Sequence, residues 1–148
     1  MIRYAHTNLI VKDLPSMISF YVEILGCRPI GETRDLRGDW VDRLTGIPNA
    51  HIFGEHLALP GDAENGPTLE LFSYDTVIPN TPGAVNASGF THIAFAVDDV
   101  EQTLAAVLAR GGATIGEVVH AEYADGRKVT LVYATDPEGN ILELQSWK

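Results

Sequence analysis

Two histidines and two glutamates occupy matching positions in the two halves of the 148-residue chain. His6 and His92 each open an apolar run, and they lie 86 residues apart. Glu70 and Glu143 lie 73 residues apart, in seven-residue segments that share four identical residues. Two neutral imidazoles and two carboxylates suit a divalent first-row metal ion and leave coordination sites for water or substrate. The repeat therefore predicts one metal centre to which each half contributes one histidine and one glutamate.

The donor types narrow the kind of metal site. Two nitrogen donors are too many for a preferred calcium or magnesium site, and the absence of sulfur argues against a structural zinc site. Taken singly, a strand histidine more often makes an ordinary structural hydrogen bond, and a strand glutamate usually faces solvent. Recurrence of both residue types favours metal ligands over these simpler interpretations. His51 and His56, in contrast, have no repeat partner and are expected to be structural or surface residues.

Each half is predicted to form a strand, a helix and three further strands. Asp13 and either Asp98 or Asp99 are expected to cap the two helices. Apolar residues then recur at helical spacing until a glycine ends each helix. A short additional helix is predicted at 40–44. The predicted strands are residues 4–11, 27–33, 51–59, 69–74, 90–97, 114–119, 128–135 and 141–147.

The spacing of the repeat predicts the domain organisation. The offset between the halves falls from 85 to 73 residues along the chain, so the first half contains 12 extra residues, most simply in loops at 34–49 and 60–67. The modules span about 1–75 and 89–148, and a linker rich in proline, asparagine and small residues joins them at 76–88. Halves of this size form thin cores alone. We therefore predict a single α+β domain in which two sheets meet across a curved cleft.

Alternation of side chains along a strand predicts which residues accompany the candidate ligands. Glu70 shares its face with Phe72 and Tyr74, and Glu143 shares its face with Trp147. A carboxylate in a cleft is costly unless it is paired or bound to metal. Four of the ten basic residues lie in or near the 34–49 loop, among acidic residues that favour a neutral, solvated surface. The candidates for substrate binding are Asn8, Phe72, Tyr74, Arg43 and Trp147.

Charge and composition exclude several classes of partner. A net charge of −10 repels phosphate backbones and anionic membranes, so neither nucleic acid nor a membrane surface is an expected partner. The sequence contains no run of about 18 apolar residues, and its N-terminus lacks a signal-peptide core. The one cysteine, Cys27, cannot form an internal disulfide. These features together predict a cytoplasmic protein.

Five segments carry a resemblance to a known family. They are His6-Thr7-Asn8-Leu9, Phe20-Tyr21-Val22-Glu23-Ile24-Leu25-Gly26, Leu69-Glu70-Leu71, His92-Ile93-Ala94-Phe95-Ala96-Val97 and Asp136-Pro137-Glu138-Gly139-Asn140-Ile141-Leu142-Glu143-Leu144. In these segments the chain resembles the vicinal oxygen chelate superfamily, which includes glyoxalase I, methylmalonyl-CoA epimerase, extradiol dioxygenases, fosfomycin-resistance enzymes and bleomycin-resistance proteins. The resemblance implies paired βαβββ modules that form a curved, open, barrel-like mixed sheet around a metal cleft. It also implies a small-molecule substrate and a homodimer.

Members of this superfamily differ at the four positions that correspond to His6, Glu70, His92 and Glu143. Bacterial-type glyoxalase I has His, Glu, His and Glu there, as this chain does. The epimerase carries glutamine at the second position, extradiol dioxygenases and fosfomycin enzymes use two histidines and one glutamate, and bleomycin-binding members lack the set. The resemblance in ligands therefore favours glyoxalase I.

That resemblance implies a metal-dependent isomerase or lyase. Vicinal substrate oxygens would chelate one divalent ion (Ni, Co, Zn, Mn or Fe), and a proton would move through an enediolate. Glu143 is the expected base, and Glu70 could act on the opposite face of the substrate. The alternatives are a methylmalonyl-CoA-epimerase-like enzyme, an iron-dependent dioxygenase and a non-catalytic drug- or ligand-binding protein. The sequence leaves open whether modules pair within one chain or across a dimer.

Overall fold

The computed structural model describes residues 1–61, 65–80 and 83–148. It divides the chain into two compact units, Met1–Pro79 and Asn80–Lys148, and this boundary falls inside the predicted linker. Residues 62–64 of the predicted turn and residues 81–82 of the predicted linker lie outside the described ranges. That the two modules form a single domain stays a prediction.

The first unit is a four-stranded mixed sheet with two helices. Its elements are β1 (His6–Ile10), α1 (Leu14–Glu23), β2 (Arg28–Arg37), α2 (Asp39–Thr45), β3 (His51–Ala58) and β4 (Thr68–Tyr74). The strand order is β1-β4-β3-β2, in which β1 runs parallel to β4 and the other neighbours are antiparallel. The first strand of the module therefore lies beside the last, which brings the start of β1 next to the candidate ligand on β4.

The second unit repeats this topology with one helix. Its elements are β5 (His92–Ala96), α3 (Val100–Ala109), β6 (Ala113–Glu122), β7 (Lys128–Thr135) and β8 (Ile141–Trp147). The strand order is β5-β8-β7-β6, and the parallel pair is again the first and last strands. The α+β class and the two open, four-stranded mixed sheets are confirmed. None of the described helices is both long enough and apolar enough to cross a membrane.

The two equivalent helices begin at aspartate caps. The Asp13 carboxylate accepts a hydrogen bond from the Ser16 backbone N–H at 3.1 Å, and Asp99 accepts one from the Gln102 N–H at 2.9 Å. These bonds satisfy backbone donors that have no partner within the helix. Of the two aspartates considered for the second helix, Asp99 is therefore the cap. The apolar side of each helix packs on its sheet through buried residues, which are Met17, Phe20 and Tyr21 in α1 and Val100, Leu104 and Val107 in α3.

A duplicated tripeptide marks a β-bulge in each unit. Ile30-Gly31-Glu32 and Ile115-Gly116-Glu117 lie where the register of β2 on β3 and of β6 on β7 shifts. Both central glycines have φ of 72°, a left-handed conformation that glycine adopts without steric cost. The strands continue beyond the bulge, so the prediction of a loop from residue 34 is wrong for 34–37, which pair with β3. The predicted end of β6 at residue 119 is likewise three residues too early.

The extra residues of the first unit lie in two connections. Thirteen residues separate β2 from β3, whereas five separate β6 from β7. Nine residues separate β3 from β4, whereas five separate β7 from β8. The equivalent strands have equal lengths, so these two differences account for the 12 extra residues, and the predicted location of the insertions is confirmed. The larger one contains α2, which agrees with the short helix predicted at 40–44.

The turn before β8 is held by a buried aspartate. Asp136 is 1% exposed, and its carboxylate accepts hydrogen bonds from the Glu138 N–H, the Asn140 N–H and the Asn140 side-chain amide, at 2.9, 2.9 and 2.8 Å. Bonds to a charged acceptor are stronger than neutral ones. This turn therefore fixes where β8 starts, at Ile141, two residues before Glu143.

Replacing Gly54 by alanine is expected to destabilise the first unit. Gly54 lies on β3 opposite Phe72, and an added Cβ would lie 2.1 Å from Phe72 Cδ1 and 2.5 Å from the Leu71 carbonyl oxygen. Overpacking of this kind lowers the free energy of unfolding by about 1–3 kcal/mol. Urea denaturation measures the loss, with G83A as the control, since among the described residues a Cβ there meets only Ile141 Cδ1, at 3.8 Å. Equal midpoints for the two variants would contradict the steric argument.

Candidate metal centre

The first unit brings His6 and Glu70 together. Because β1 and β4 are parallel neighbours, with Asn8 paired to Glu70, the His6 side chain lies next to the glutamate carboxylate. His6 Nε2 lies 3.1 Å from Glu70 Oε2, and the Asn8 side-chain amide donates a hydrogen bond to the same oxygen at 3.2 Å. Glu70 is only 8% exposed. A nearly buried carboxylate thus points one oxygen at an imidazole nitrogen.

The second unit repeats this arrangement with His92 and Glu143. Ala94 on β5 pairs with Glu143 on β8, which is the register that Asn8 and Glu70 have in the first unit. His92 Nε2 lies 3.2 Å from Glu143 Oε2, so the same atoms approach to nearly the same distance as in the first unit. The repeat in sequence is therefore also a repeat in local geometry.

These separations fit pairs of ligands on a common ion. Nitrogen and oxygen ligands each about 2.1 Å from a metal, at angles of about 90–110°, lie about 3.0–3.4 Å apart. The two observed distances, 3.1 and 3.2 Å, fall in that range. Within the described residues, no group of three or more His, Cys, Asp or Glu side chains is placed to hold a metal ion. Each unit by itself therefore presents one histidine and one glutamate as candidate ligands.

His56 is a neighbour of the candidate ligands that the sequence analysis missed. It lies on β3 directly opposite Glu70, and its Nε2 is 2.9 Å from Glu70 Oε1. Burial lowers the pKa of His56 below the ordinary histidine value, although the Glu70 carboxylate opposes this effect. The expectation that His56 is merely structural or at the surface did not include this contact. Only the pairing of β3 with β4 would have indicated it.

The matching position in the second unit is occupied by a different residue. Tyr133 on β7 pairs with Glu143 as His56 pairs with Glu70. The Tyr133 ring lies against His92, with 5.2 Å between ring centroids. The two units thus share their candidate ligands but differ in the residues beside them.

Comparison with known proteins identifies the family. The profile of the Glyoxalase/Bleomycin resistance protein/Dioxygenase superfamily matches residues 3–144. The chain belongs to this superfamily. The resemblance inferred from the five segments is thereby confirmed.

Individual relatives agree with this membership. A probable lactoylglutathione lyase of Vibrio parahaemolyticus is 27% identical over 148 residues, covering 96% of this chain and 88% of the relative. A glyoxalase family protein of Bacillus cereus has the same fold, with a TM-score of 0.85 at 24% identity, and 99% and 95% of the two chains are covered. A fosfomycin resistance protein of Listeria monocytogenes, whose structure is a complex with Mn(II) and sulfate, has a TM-score of 0.59 at 19% identity, with 99% and 93% covered.

The substrate contacts predicted for this superfamily member are only partly near the candidate ligands. Asn8 contacts Glu70 itself, and Phe72 lies 6.0 Å from the His56 ring, although it also packs with Tyr74 on the small cluster around Val41. Their roles in substrate binding stay predictions.

The other two predicted contacts have partners away from the candidate ligands. Arg43 forms an ion pair with Asp39 within α2, at 3.1 Å. Trp147 is 44% exposed, and its indole N–H donates to Gln145 Oε1 at 2.7 Å. Arg127 lies over the Trp147 ring, 5.3 Å from its centroid. Both residues remain predicted substrate contacts.

Proposed function

We propose that this superfamily member is a metal-dependent lyase or isomerase of the glyoxalase I type. The observation that carries the proposal is the pair of matched His–Glu contacts, at 3.1 and 3.2 Å, which together supply a His, Glu, His, Glu donor set. The relatives named lactoylglutathione lyase support the same reaction class.

His6, Glu70, His92 and Glu143 would hold one divalent ion. The donor set suits Ni, Co, Zn, Mn or Fe. When bound, the ion would act as a Lewis acid toward substrate oxygens and make the neighbouring C–H bond more acidic. We also propose a homodimer, as the resemblance to the superfamily implies. Each complete centre would combine a first unit with a second unit, from the same chain or from two chains.

Glu143 would carry the proton. A hemithioacetal of a 2-oxoaldehyde has a hydroxyl-bearing carbon next to a carbonyl carbon. Glu143 would take the proton from the first carbon and deliver it to the second. The hydroxyl proton passes to the carbonyl oxygen, so that the first carbon becomes the carbonyl of a thioester and the second carries the hydroxyl of a 2-hydroxy acid. Electrons are redistributed within one molecule, so the step needs no oxidant. Glu143 suits this role because, among the described residues, its side chain has only His92 as a polar partner.

Removing the metal is expected to abolish the activity reversibly. After chelation and dialysis, the rate of thioester formation from methylglyoxal and glutathione should fall at least about 100-fold, since Lewis-acid stabilisation contributes several kcal/mol. Adding back Co²⁺, Ni²⁺, Zn²⁺ or Mn²⁺ should restore it. Circular dichroism of the metal-free protein checks that the fold is retained. Full activity in a protein shown by elemental analysis to be metal-free would contradict the proposal.

The alternative functions give different outcomes in the same preparation. A dioxygenase consumes O₂ with a catechol substrate, which an oxygen electrode measures. An epimerase-like enzyme would tolerate E70Q, because glutamine occupies that position in the epimerase. A binding protein would keep its ligand affinity when the metal is removed. None of these outcomes is expected here.

A further inference from the structure

The ring of His56 is held on several sides. Its Nε2 contacts Glu70 Oε1 at 2.9 Å, and its Nδ1 contacts Thr68 Oγ1 at 3.1 Å. The ring also lies edge-on to His6 and Phe72, with centroid distances of 5.9 and 6.0 Å and interplanar angles of 84°. With both nitrogens engaged and two rings against it, His56 has little freedom to turn.

The direction of these hydrogen bonds follows from the chemistry of the groups. The Glu70 carboxylate can only accept, so His56 Nε2–H is the donor. In the neutral ring Nδ1 then accepts from the Thr68 hydroxyl. His56 therefore donates a hydrogen bond to Oε1 of Glu70, and the other oxygen, Oε2, faces His6 and the Asn8 amide. The carboxylate is fixed from both sides.

Glu143 lacks this support. The three strand positions that provide Asn8, His56 and Thr68 beside Glu70 hold Ala94, Tyr133 and Ile141 beside Glu143. Alanine and isoleucine offer no side-chain hydrogen bond, and the Tyr133 ring makes an edge contact with the His92 ring. In the described part of the chain, His92 is the one polar partner of the Glu143 side chain. The two candidate carboxylates are thus matched in position and unequal in restraint.

We propose that His56 is a positioning residue that keeps Glu70 on the metal ion through Oε2 and so makes Glu143 the carboxylate that is free to move a proton. This inference rests on the proposed function, because it assumes that both glutamates are metal ligands. Hydrogen bonds from outer residues commonly orient metal-bound side chains in this way. Glu70 and Glu143 then differ in mobility because the residues on the neighbouring strands differ, although the proposed ligands of the two units are of the same types.

The test is a Co²⁺ titration of the metal-free full-length protein, followed by visible absorbance. H56F retains an aromatic ring but removes the donor to Glu70, and we expect it to lower Co²⁺ affinity about 10–100-fold, the usual effect of losing an outer hydrogen-bonding partner. H56Q keeps an N–H donor, and it should recover most of the affinity and the wild-type cobalt spectrum. If H56F weakened Co²⁺ binding only by altering the packing, H56Q would not restore the affinity.

H51F is the matched control. His51 is on the same strand and is also paired with carboxylates, at 2.5 Å to Asp35 Oδ1 and 3.5 Å to Asp75 Oδ2, but it contacts none of the candidate ligands in the described structure. H51F should bind Co²⁺ as the wild type does. Thermal unfolding of each metal-free variant shows whether it is folded, and H56L, which also removes the donor, replaces H56F if H56F is not.

The outcomes separate this inference from the proposed function. If the wild type binds Co²⁺ and H56F binds it equally well, the assignment of His56 is overturned and the metal centre stands. If H56F and H56Q are folded but equally weakened, the hydrogen bond is not the cause and the assignment also fails. A wild-type protein that does not bind Co²⁺ overturns both.

Discussion

Replacing Glu143 by glutamine is expected to lower kcat for the hemithioacetal by about 10²–10⁴-fold, the usual contribution of a positioned general base. Glutamine has nearly the same size and can still bind through its carbonyl oxygen, but it cannot take up a proton at neutral pH. The measurement is the initial rate of thioester formation at saturating metal and substrate. The loss should lie in kcat, with a smaller change in metal affinity.

The comparison with E70Q makes this prediction specific. Because Glu70 is fixed by neighbours and Glu143 is not, E70Q should mainly weaken metal binding, whereas E143Q should mainly lower kcat. E117Q, which changes an exposed glutamate in the same unit as Glu143, serves as the control for the loss of one negative charge. If E70Q and E143Q reduce kcat equally at saturating metal, the division of roles between the two glutamates is wrong.

Removing the imidazole of His92 is expected to prevent stable metal binding. H92A deletes one of four donors and leaves the Glu143 carboxylate without its described polar partner. We expect affinity to fall by at least about 100-fold, the upper end of the range for losing an outer-shell partner. Elemental analysis after dialysis gives the bound metal per chain. H120A, a change at an exposed histidine of the same unit, should retain the wild-type metal content.

Mixing the H92A and H6A variants tests whether each metal centre is built from one chain or from two. If a centre combines the first unit of one chain with the second unit of another, a mixed dimer regains one complete donor set, and metal binding and activity return in part. If both units of one chain form each centre, every centre in the mixture lacks one histidine and neither returns. Either result decides between the two pairings that the sequence leaves open.

The equivalence of His6 to His92 and of Glu70 to Glu143 could be predicted from the sequence, whereas the residues that lie beside each glutamate could not. The repeat gave equivalent roles to His6 and His92, and alternation along β4 and β8 gave the faces of Glu70 and Glu143. Both inferences depend on residues close in sequence or on the repeat. The contact of His56 with Glu70 depends on the register of β3 on β4 across a nine-residue connection, and His56 has no counterpart in the repeat.

The ends of β2 and β6 could not be predicted from the sequence either. The predicted strands run through Gly31 and Gly116 but end at residues 33 and 119, where charged or polar residues follow. In the structure each glycine belongs to a bulge, and pairing resumes with Arg34 opposite Gly54 and with Val119 opposite Leu131. Hydrogen bonding to the partner strand therefore outweighs the polar composition that predicted loops from residues 34 and 120.

The two insertions of the first unit have an evolutionary consequence. Both enter between strands, and the ladder that joins β3 to β4 remains continuous from Ile52 to Ala58. Residues added or deleted in these connections can reshape the surface that contacts the far end of a bound molecule. The distance between the His6 imidazole and the Glu70 carboxylate stays the same. A lineage that retains this framework can therefore acquire new specificities by changing loop length, with its chemistry intact.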